Sequence, residues 1–225
     1  MRRFLILPFV IAVTFACSPE QGSPTTDTST TERSPAKQQH VTTSGSDYTA
    51  SGIIANTLPD IINALETGDL SSQDLVQQYL TRIDKVDRSG PTLQSILTLN
   101  PHALSEAKKR DKERADGNIA GPLHGIPILL KDNIESKDDM PTTAGALALK
   151  NNITGRDSPL VAGLRAQGAI ILGKTNLSQW ANFRSSGSMS GWSALGGQVR
   201  NPHMLDRNPC GSSSGSGAAT AASLA

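Results

Sequence analysis

A run of small polar residues near the end of this 225-residue sequence carries the side chains best suited to chemistry. It extends from Cys210 to Gly217 and contains Ser212 and Ser213. Asn208-Pro209 precedes the run, which favours a rigid turn, and an alanine-rich stretch follows it, which favours a closely packed helix. Flexible linkers share this composition, but a linker does not need a helix directly after it. The pattern therefore indicates a loop at a helix N-terminus, where free N–H groups and hydroxyls can converge on a small ligand.

Lys131 is the second candidate for a chemical role. It ends the wholly apolar run 126–130, which is typical of a strand buried on both faces. Open α/β sheets place their sites at the carboxyl ends of parallel strands, so a lysine in that position can be partly desolvated. Burial lowers the pKa of a lysine, and only its neutral amine acts as a base. The alternative is a lysine that ends a strand by extending its ammonium group into water.

Three common glycine-containing motifs fit the Gly/Ser loop poorly. A phosphate-binding loop needs a lysine after its last glycine, and a dinucleotide-binding loop needs a preceding strand and a third glycine. The pattern G-x-S-x-G does match Gly211 to Gly215, which would make Ser213 the nucleophile of an esterase. That motif must follow a buried strand, however, and Pro202 and Pro209 argue against one.

A relay from a lysine to one serine and then to a second serine fits these residues better. A neutral lysine beside a hydroxyl can take its proton, and that serine can pass the effect to a serine that attacks a carbonyl. Such a relay needs no histidine, metal or cofactor. We therefore predict neither a cofactor nor a metal site.

The rest of the domain alternates between helical and strand patterns that would position these residues. Helices are predicted at 57–66, 71–88, 101–115 and 158–167, and strands at 93–99, 126–130 and 169–172. The order strand, helix, strand over 126–172 predicts a right-handed βαβ crossover. The predicted fold class is α/β, with a mixed, largely parallel sheet covered by helices on both faces.

The overall composition excludes an electrostatic case for nucleic acid binding. Lys and Arg number 21 against 20 Asp and Glu, giving a net charge of +1. The charged run 106–114 mixes both signs and is predicted to be a solvated helix face. Cys210 has no histidine close in sequence that could activate it, so we predict a packing role for this cysteine.

The first 17 residues have the features of an export signal. Arg2 and Arg3 precede the apolar run 4–16, which is too short to span a bilayer comfortably. Cys17 follows Ala16 in an arrangement that resembles a bacterial lipobox, so residues 1–17 are predicted to be a signal peptide of lipoprotein type with lipidation at Cys17. Residues 18–48 are rich in Ser, Thr and Pro and are predicted to form a disordered tether. The protein is then exported and attached to the cell envelope or periplasm through lipid alone, with ordinary secretion as the alternative.

Four separated motifs together resemble the amidase signature family. They are Gly125-Ile126-Pro127-Ile128-Leu129-Leu130-Lys131-Asp132-Asn133, Gly173-Lys174-Thr175-Asn176-Leu177, Asn201-Pro202 and Cys210-Gly211-Ser212-Ser213-Ser214-Gly215-Ser216. In that family a lysine and a serine with a cis peptide bond activate a second serine, which forms the acyl-enzyme. The resemblance implies that Lys131 is the base and Ser212 the bridging serine, with Gly211 and Ser213 in the loop around it.

The resemblance covers residues 49–225 and implies that they are the N-terminal part of an amidase domain. The acylating serine and the oxyanion-hole donors of the family would follow Ala225, so we expect the sheet to be incomplete here and this piece alone to be inactive. Residues 176–184 and 190–198 look most like the peptide-amidase branch. Cys210 and Ser214 depart from the family pattern, which usually has glycine at both positions.

The function implied is hydrolysis of a carboxamide C–N bond in a small-molecule or peptide amide. Two alternatives from the resemblance are a non-catalytic exported binding module of the same architecture and a subunit of amidotransferase type. An esterase that uses Ser213 is a third.

Overall fold

A computed structural model describes residues 48–225 of the chain. The predicted signal peptide, Cys17 and nearly all of the predicted tether lie outside the described residues. The α-helices are α1 (Leu58–Thr67), α2 (Ser72–Arg82), α3 (Ala103–Ala115), α4 (Pro159–Ala166) and α5 (Ser214–Ala221). The strands are β1 (Ile96–Leu99), β2 (Pro127–Lys131), β3 (Ile170–Thr175), β4 (Trp192–Ser193) and β5 (Gly197–Gln198). Within this part of the chain, no helix is both long and apolar enough to cross a membrane.

The crossover from β2 through α4 to β3 organises the fold. β2 and β3 pair in parallel, as the sequence predicted, and β1 pairs antiparallel with the other edge of β3. Helix α4 starts where predicted, because the Ser158 side chain accepts a hydrogen bond from Val161 N and Pro159 favours the first helical turn. The α/β class with a mixed sheet is confirmed, with one parallel and one antiparallel pair among the described strands of this sheet.

Helices cover both faces of this sheet. Residues 170–172 of β3 alternate between the faces, so Ile170 and Leu172 join a large apolar cluster with α1, α2 and α5. The alternation is interrupted after this stretch, because Ile128 of β2 pairs with Ile171 whereas the next residue, Leu129, pairs with Gly173. Ile171 joins a smaller cluster on the opposite face with Val161 of α4 and Leu130 of β2. The larger cluster packs α5 against the sheet, and the smaller one packs α4 against its opposite face.

Two strands differ from their predicted extents. The strand expected at 93–99 begins only at Ile96, because Thr92 and Gln94 have φ of 54° and 56°, which interrupt an extended chain. The strand expected at 169–172 continues to Thr175. It can do so because Gly173 lies against the backbone of β1, where a Cβ would come within 2.5 Å of Thr98 O.

The prediction that the strand at 126–130 is buried on both faces was only partly right. Leu130 is buried, whereas Ile128 and Leu129 are half-buried. Among the described strands, β2 lies at an edge of the sheet. The helix expected at 71–88 also differs, since α2 ends at Arg82 and a π-helical turn, Ile83–Arg88, follows it.

Candidate active site

Lys131 and Ser212, two residues far apart in sequence, lie in contact. Lys131 is the last residue of β2 and is half-buried. Its Nζ donates a hydrogen bond to Ser212 Oγ at 2.8 Å. Burial lowers the pKa of Lys131, which is the direction a lysine base requires. The geometry thus brings the two predicted site residues together, while their catalytic roles stay predictions.

The loop that presents Ser212 is held from the end of β3. The Gly211–Ser212 peptide bond is cis. Ser178 N donates to Ser212 O at 3.0 Å, and Ser178 Oγ accepts from Gly191 N at 2.8 Å. A Cβ at position 211 would lie 2.5 Å from Ser178 Oγ, so glycine permits this close approach.

No motif in the sequence marks Ser178 as a functional residue. The available signal was its place just after the carboxyl end of β3, the edge at which α/β sheets assemble their sites. Ser178 is fully buried, so it can support the Ser212 loop through hydrogen bonds but is not itself accessible to a substrate.

Helix α5 starts three residues before the last glycine of the loop, at Ser214 rather than after Gly217. Gly215 N donates to Asn176 O at 3.0 Å, and a Cβ at Gly215 would overlap the carbonyl oxygens of Asn176 and Ser95. The first turn of α5 therefore packs directly on the chain that leaves β3. One residue further, Ser216 Oγ lies 2.8 Å from Thr175 Oγ1.

Ser213 occupies the N-cap position of α5 and is exposed. Between Gln198 and Ser214 the structure contains an isolated bridge, Asn201 to Met204, and no strand. The strand that a G-x-S-x-G nucleophile requires is thus missing from this stretch, which agrees with the sequence-based argument against Ser213 as an esterase nucleophile.

The prediction that Cys210 packs inside the loop was wrong. Its thiol is free and exposed. Cys210 has φ of 60°, a backbone conformation in which the loop turns sharply before Gly211. The residue's small size is therefore not required by close packing around its side chain.

A segment with unusual backbone and exposed apolar side chains adjoins the Ser212 loop. Trp180, Ala181 and Asn182 have φ of 53°, 54° and 64°. Phe183 and Trp192 in the same segment are 89% and 41% exposed. Gly191, next to Trp192, donates its N–H to Ser178 Oγ. The segment is therefore hydrogen-bonded to the same serine that holds the Ser212 loop.

A cavity of about 410 Å³ runs beside β2, between α2 and α5. Its walls are mainly apolar and include Tyr79, Ile126 and Ile128. Ser216 also lines it, but Lys131 and Ser212 do not. Within residues 48–225, no group of three or more His, Cys, Asp or Glu side chains is arranged to hold a metal ion.

Comparison with known proteins gives concordant matches over this region. The profile of the amidase family matches residues 74–225. A Schizosaccharomyces pombe protein that bears the name amidase is 46% identical over 168 residues, which are 75% of this chain and 28% of that protein. A glutamyl-tRNA(Gln) amidotransferase subunit from Prochlorococcus marinus is 40% identical over 169 residues, covering 75% of this chain and 33% of its own length.

Solved structures match the same region. The native peptide amidase of Stenotrophomonas maltophilia has 54% sequence identity and a TM-score of 0.74, covering 76% of this chain and 34% of its own. An amidase family protein of Bacillus anthracis has 41% identity and a TM-score of 0.71, with coverage of 76% and 34%. The chain thus spans about a third or less of the length of each of these relatives.

Proposed function

The chain belongs to the amidase signature family, and from this premise we propose that the whole protein hydrolyses the C–N bond of a carboxamide. The observation that carries the proposal is the contact of 2.8 Å between Lys131 Nζ and Ser212 Oγ. A lysine whose pKa is lowered by burial, in contact with a serine hydroxyl, is equipped to accept a proton from it.

The proposed reaction begins with a neutral Lys131. Its amine accepts the proton of Ser212, and Ser212 in turn accepts the proton of the serine that attacks the carbonyl carbon. The amidase-signature pattern places that attacking serine later in the chain than Ser212. The C–N bond then breaks, and the leaving nitrogen takes the proton that the attacking serine released. Water hydrolyses the resulting ester, releasing the acid and restoring the serine.

The support for the Ser212 loop gives this relay a fixed geometry. Ser178 N binds Ser212 O, and Gly215 seats the following helix against Asn176. Because these contacts are backbone hydrogen bonds between buried elements, Ser212 Oγ meets Lys131 without a rearrangement of the loop. Preorganisation of this kind lowers the cost of aligning reacting groups.

We propose a peptide amide as the substrate class, because the matching structure with 54% identity is named a peptide amidase. The relationship to amidotransferase subunits supports a second candidate, in which the protein supplies ammonia within a larger assembly. A non-catalytic binding module is the third.

Assays of the purified full-length protein distinguish these candidates. We expect ammonia release from a short C-terminally amidated peptide, and trapping of the acyl group as a hydroxamate when hydroxylamine is added. Lys131→Ala should abolish both signals.

Binding of the amidated peptide without ammonia release would favour the binding module and contradict the proposal. Hydrolysis of free glutamine, with the amidated peptide left intact, would favour the amidotransferase candidate. A Ser213→Ala variant should retain activity, because the proposed relay does not use the Ser213 hydroxyl. Only the esterase alternative makes Ser213 the nucleophile.

A further inference from the structure

Lys174, which the proposed relay does not use, is a fully buried lysine in β3. Its Nζ donates to Ile134 O at 2.6 Å and to Thr142 Oγ1 at 2.9 Å. It also lies 3.7 Å from Asp132 Oδ1, whose carboxylate is buried as well. The ammonium group is therefore surrounded by three oxygen atoms in the interior of the protein.

These oxygen atoms belong to the turn that carries the chain out of β2 and to the segment beside it. The turn closes on itself when Ile134 N donates to Lys131 O at 2.9 Å. Lys174 binds the carbonyl of Ile134, the residue that ends this turn. Asp132, the second residue of the turn, also accepts a hydrogen bond from Thr143 N at 3.2 Å and one from Thr143 Oγ1.

The register of the sheet places the two lysines on opposite faces. Lys131 pairs with Thr175, while Leu130 pairs with Lys174. Neighbouring residues of a strand point to opposite faces, so Lys131 points toward α5 and Ser212 while Lys174 points toward the Leu130 face. Lys174 thus fixes the backbone of the turn from the face opposite the proposed site.

A buried ion pair is costly to maintain for stability alone. Both charges lose their hydration, and an apolar pair of similar volume is often as stable or more so. Burial accordingly lowers the pKa of Lys174 and raises that of Asp132, while their mutual attraction opposes both shifts. The arrangement is better suited to fixing one particular backbone geometry.

We propose that Lys174 is a positioning residue that sets the direction in which Lys131 leaves β2. The inference rests on the proposed function, because it assigns to Lys174 the alignment of Lys131 Nζ with Ser212 Oγ. Without the buried ammonium, the turn from Lys131 to Ile134 loses its anchor, and the lysine amine loses its fixed distance to the serine. Misplacement of a catalytic group by about 1 Å can lower a rate by about 10²-fold.

The experiment compares Lys174→Met, Asp132→Asn and the double variant in the full-length protein, with an amidated peptide as substrate. Each single variant leaves one buried polar partner uncompensated, so both single variants should unfold at lower temperature. The double variant removes both charges and should recover most of the lost melting temperature. Its kcat should nevertheless stay about 10²-fold below that of the wild type, with KM changed by less than about 3-fold.

A folded double variant with wild-type kcat would overturn the proposal, since the pair would then serve stability alone. Thr142→Val provides a milder test, because it removes one acceptor of the ammonium and keeps the charge pair. It should lower kcat several-fold at unchanged KM. If the double variant does not fold, an unchanged kcat in Thr142→Val overturns the proposal instead.

The wild type and Lys131→Ala separate this inference from the proposed function. Wild-type protein that releases no ammonia, or Lys131→Ala that keeps normal activity, refutes the relay itself. An active wild type with an inactive Lys131→Ala variant leaves the relay standing, and the Lys174 variants then decide the positioning role alone.

Discussion

At the scale of single residues, the environment of Lys131 decides whether it can act as a base. The side chain is half-buried and touches a serine hydroxyl at hydrogen-bond distance. Full exposure would keep the amine protonated at neutral pH, whereas partial burial moves its pKa downward. The chemistry proposed here depends on that balance.

Replacement of Lys131 tests the balance directly. In the full-length protein, Lys131→Ala should lower kcat/KM by about 10³-fold or more, because a general base is lost. Lys131→Arg should fail almost as severely, since a guanidinium group does not release its proton. Lys108→Ala, at an exposed position on α3, is the matched control and should be neutral. Ammonia release from an amidated peptide measures the effect, and an active Lys131→Arg variant would contradict the base assignment.

The lowered pKa of Lys131 also predicts a pH dependence. The reactive form is the neutral amine, so kcat/KM should rise with pH through the pKa of Lys131 and level off above it. Because burial lowers this pKa, the rise should be centred below about 10.4, the value of an exposed lysine. A pH–rate profile measured with a fully folded enzyme checks this. An activity that falls as pH increases over the same range would show that a protonated Lys131 is required.

The resemblance to the amidase signature family implied that Lys131 and Ser212 are partners, but it did not identify the groups that support them. A strand end and a Gly/Ser loop are visible as local patterns in a sequence. The contact of Ser178 N with Ser212 O joins two segments through backbone atoms, and Lys174 Nζ binds a backbone oxygen of Ile134. Backbone groups are the same at every residue, so these partners leave no residue-specific signal. The role of Cys210 was mispredicted for the same reason, since exposure depends on the path of the loop.

At the scale of elements, the seat of α5 on the end of β3 depends on a single glycine. Gly215→Ala should destabilise the protein by at least about 2 kcal/mol, because its Cβ would overlap two backbone carbonyl oxygens that cannot move independently. Gly217→Ala in the same helix has open space and should stabilise it by about 0.5–1 kcal/mol. Chemical denaturation of the two full-length variants measures both values. Equal changes in the free energy of unfolding for the two variants would show that the close contact at Gly215 does not determine the stability of this region.

Periodicity predicted the existence of the main helices and strands, and long-range contacts decided where they end. The predicted helix at 57–66 and α1 differ by one residue at each end, because Pro59 and Gly68 are strong local signals. The extension of β3 to Thr175 depends instead on pairing with β1 and β2 on its two edges. A short apolar run in a sequence does not indicate how many neighbouring strands will pair with it.

At the scale of the whole molecule, the cellular location of the protein depends on residues 1–17, which lie outside the described residues. We propose attachment to the membrane through lipid on Cys17, on the basis of Arg2, Arg3, the short apolar run 4–16 and the polar segment that follows. Cys17→Ser should move the protein from the membrane fraction to the soluble fraction. Unchanged fractionation with cleavage still occurring near Ala16 would exclude the lipid anchor and favour ordinary secretion.

The segment that adjoins the Ser212 loop, from Trp180 to Trp192, determines the tryptophan fluorescence of this chain. The sequence contains two tryptophans, and both, Trp180 and Trp192, belong to this segment. Indole emission shifts to shorter wavelength when water leaves its surroundings, and Trp192 is 41% exposed. Intrinsic tryptophan fluorescence of these 225 residues therefore reports on the segment that adjoins the Ser212 loop. A ligand that binds against Ser212 should produce a blue shift, with no label attached to the protein.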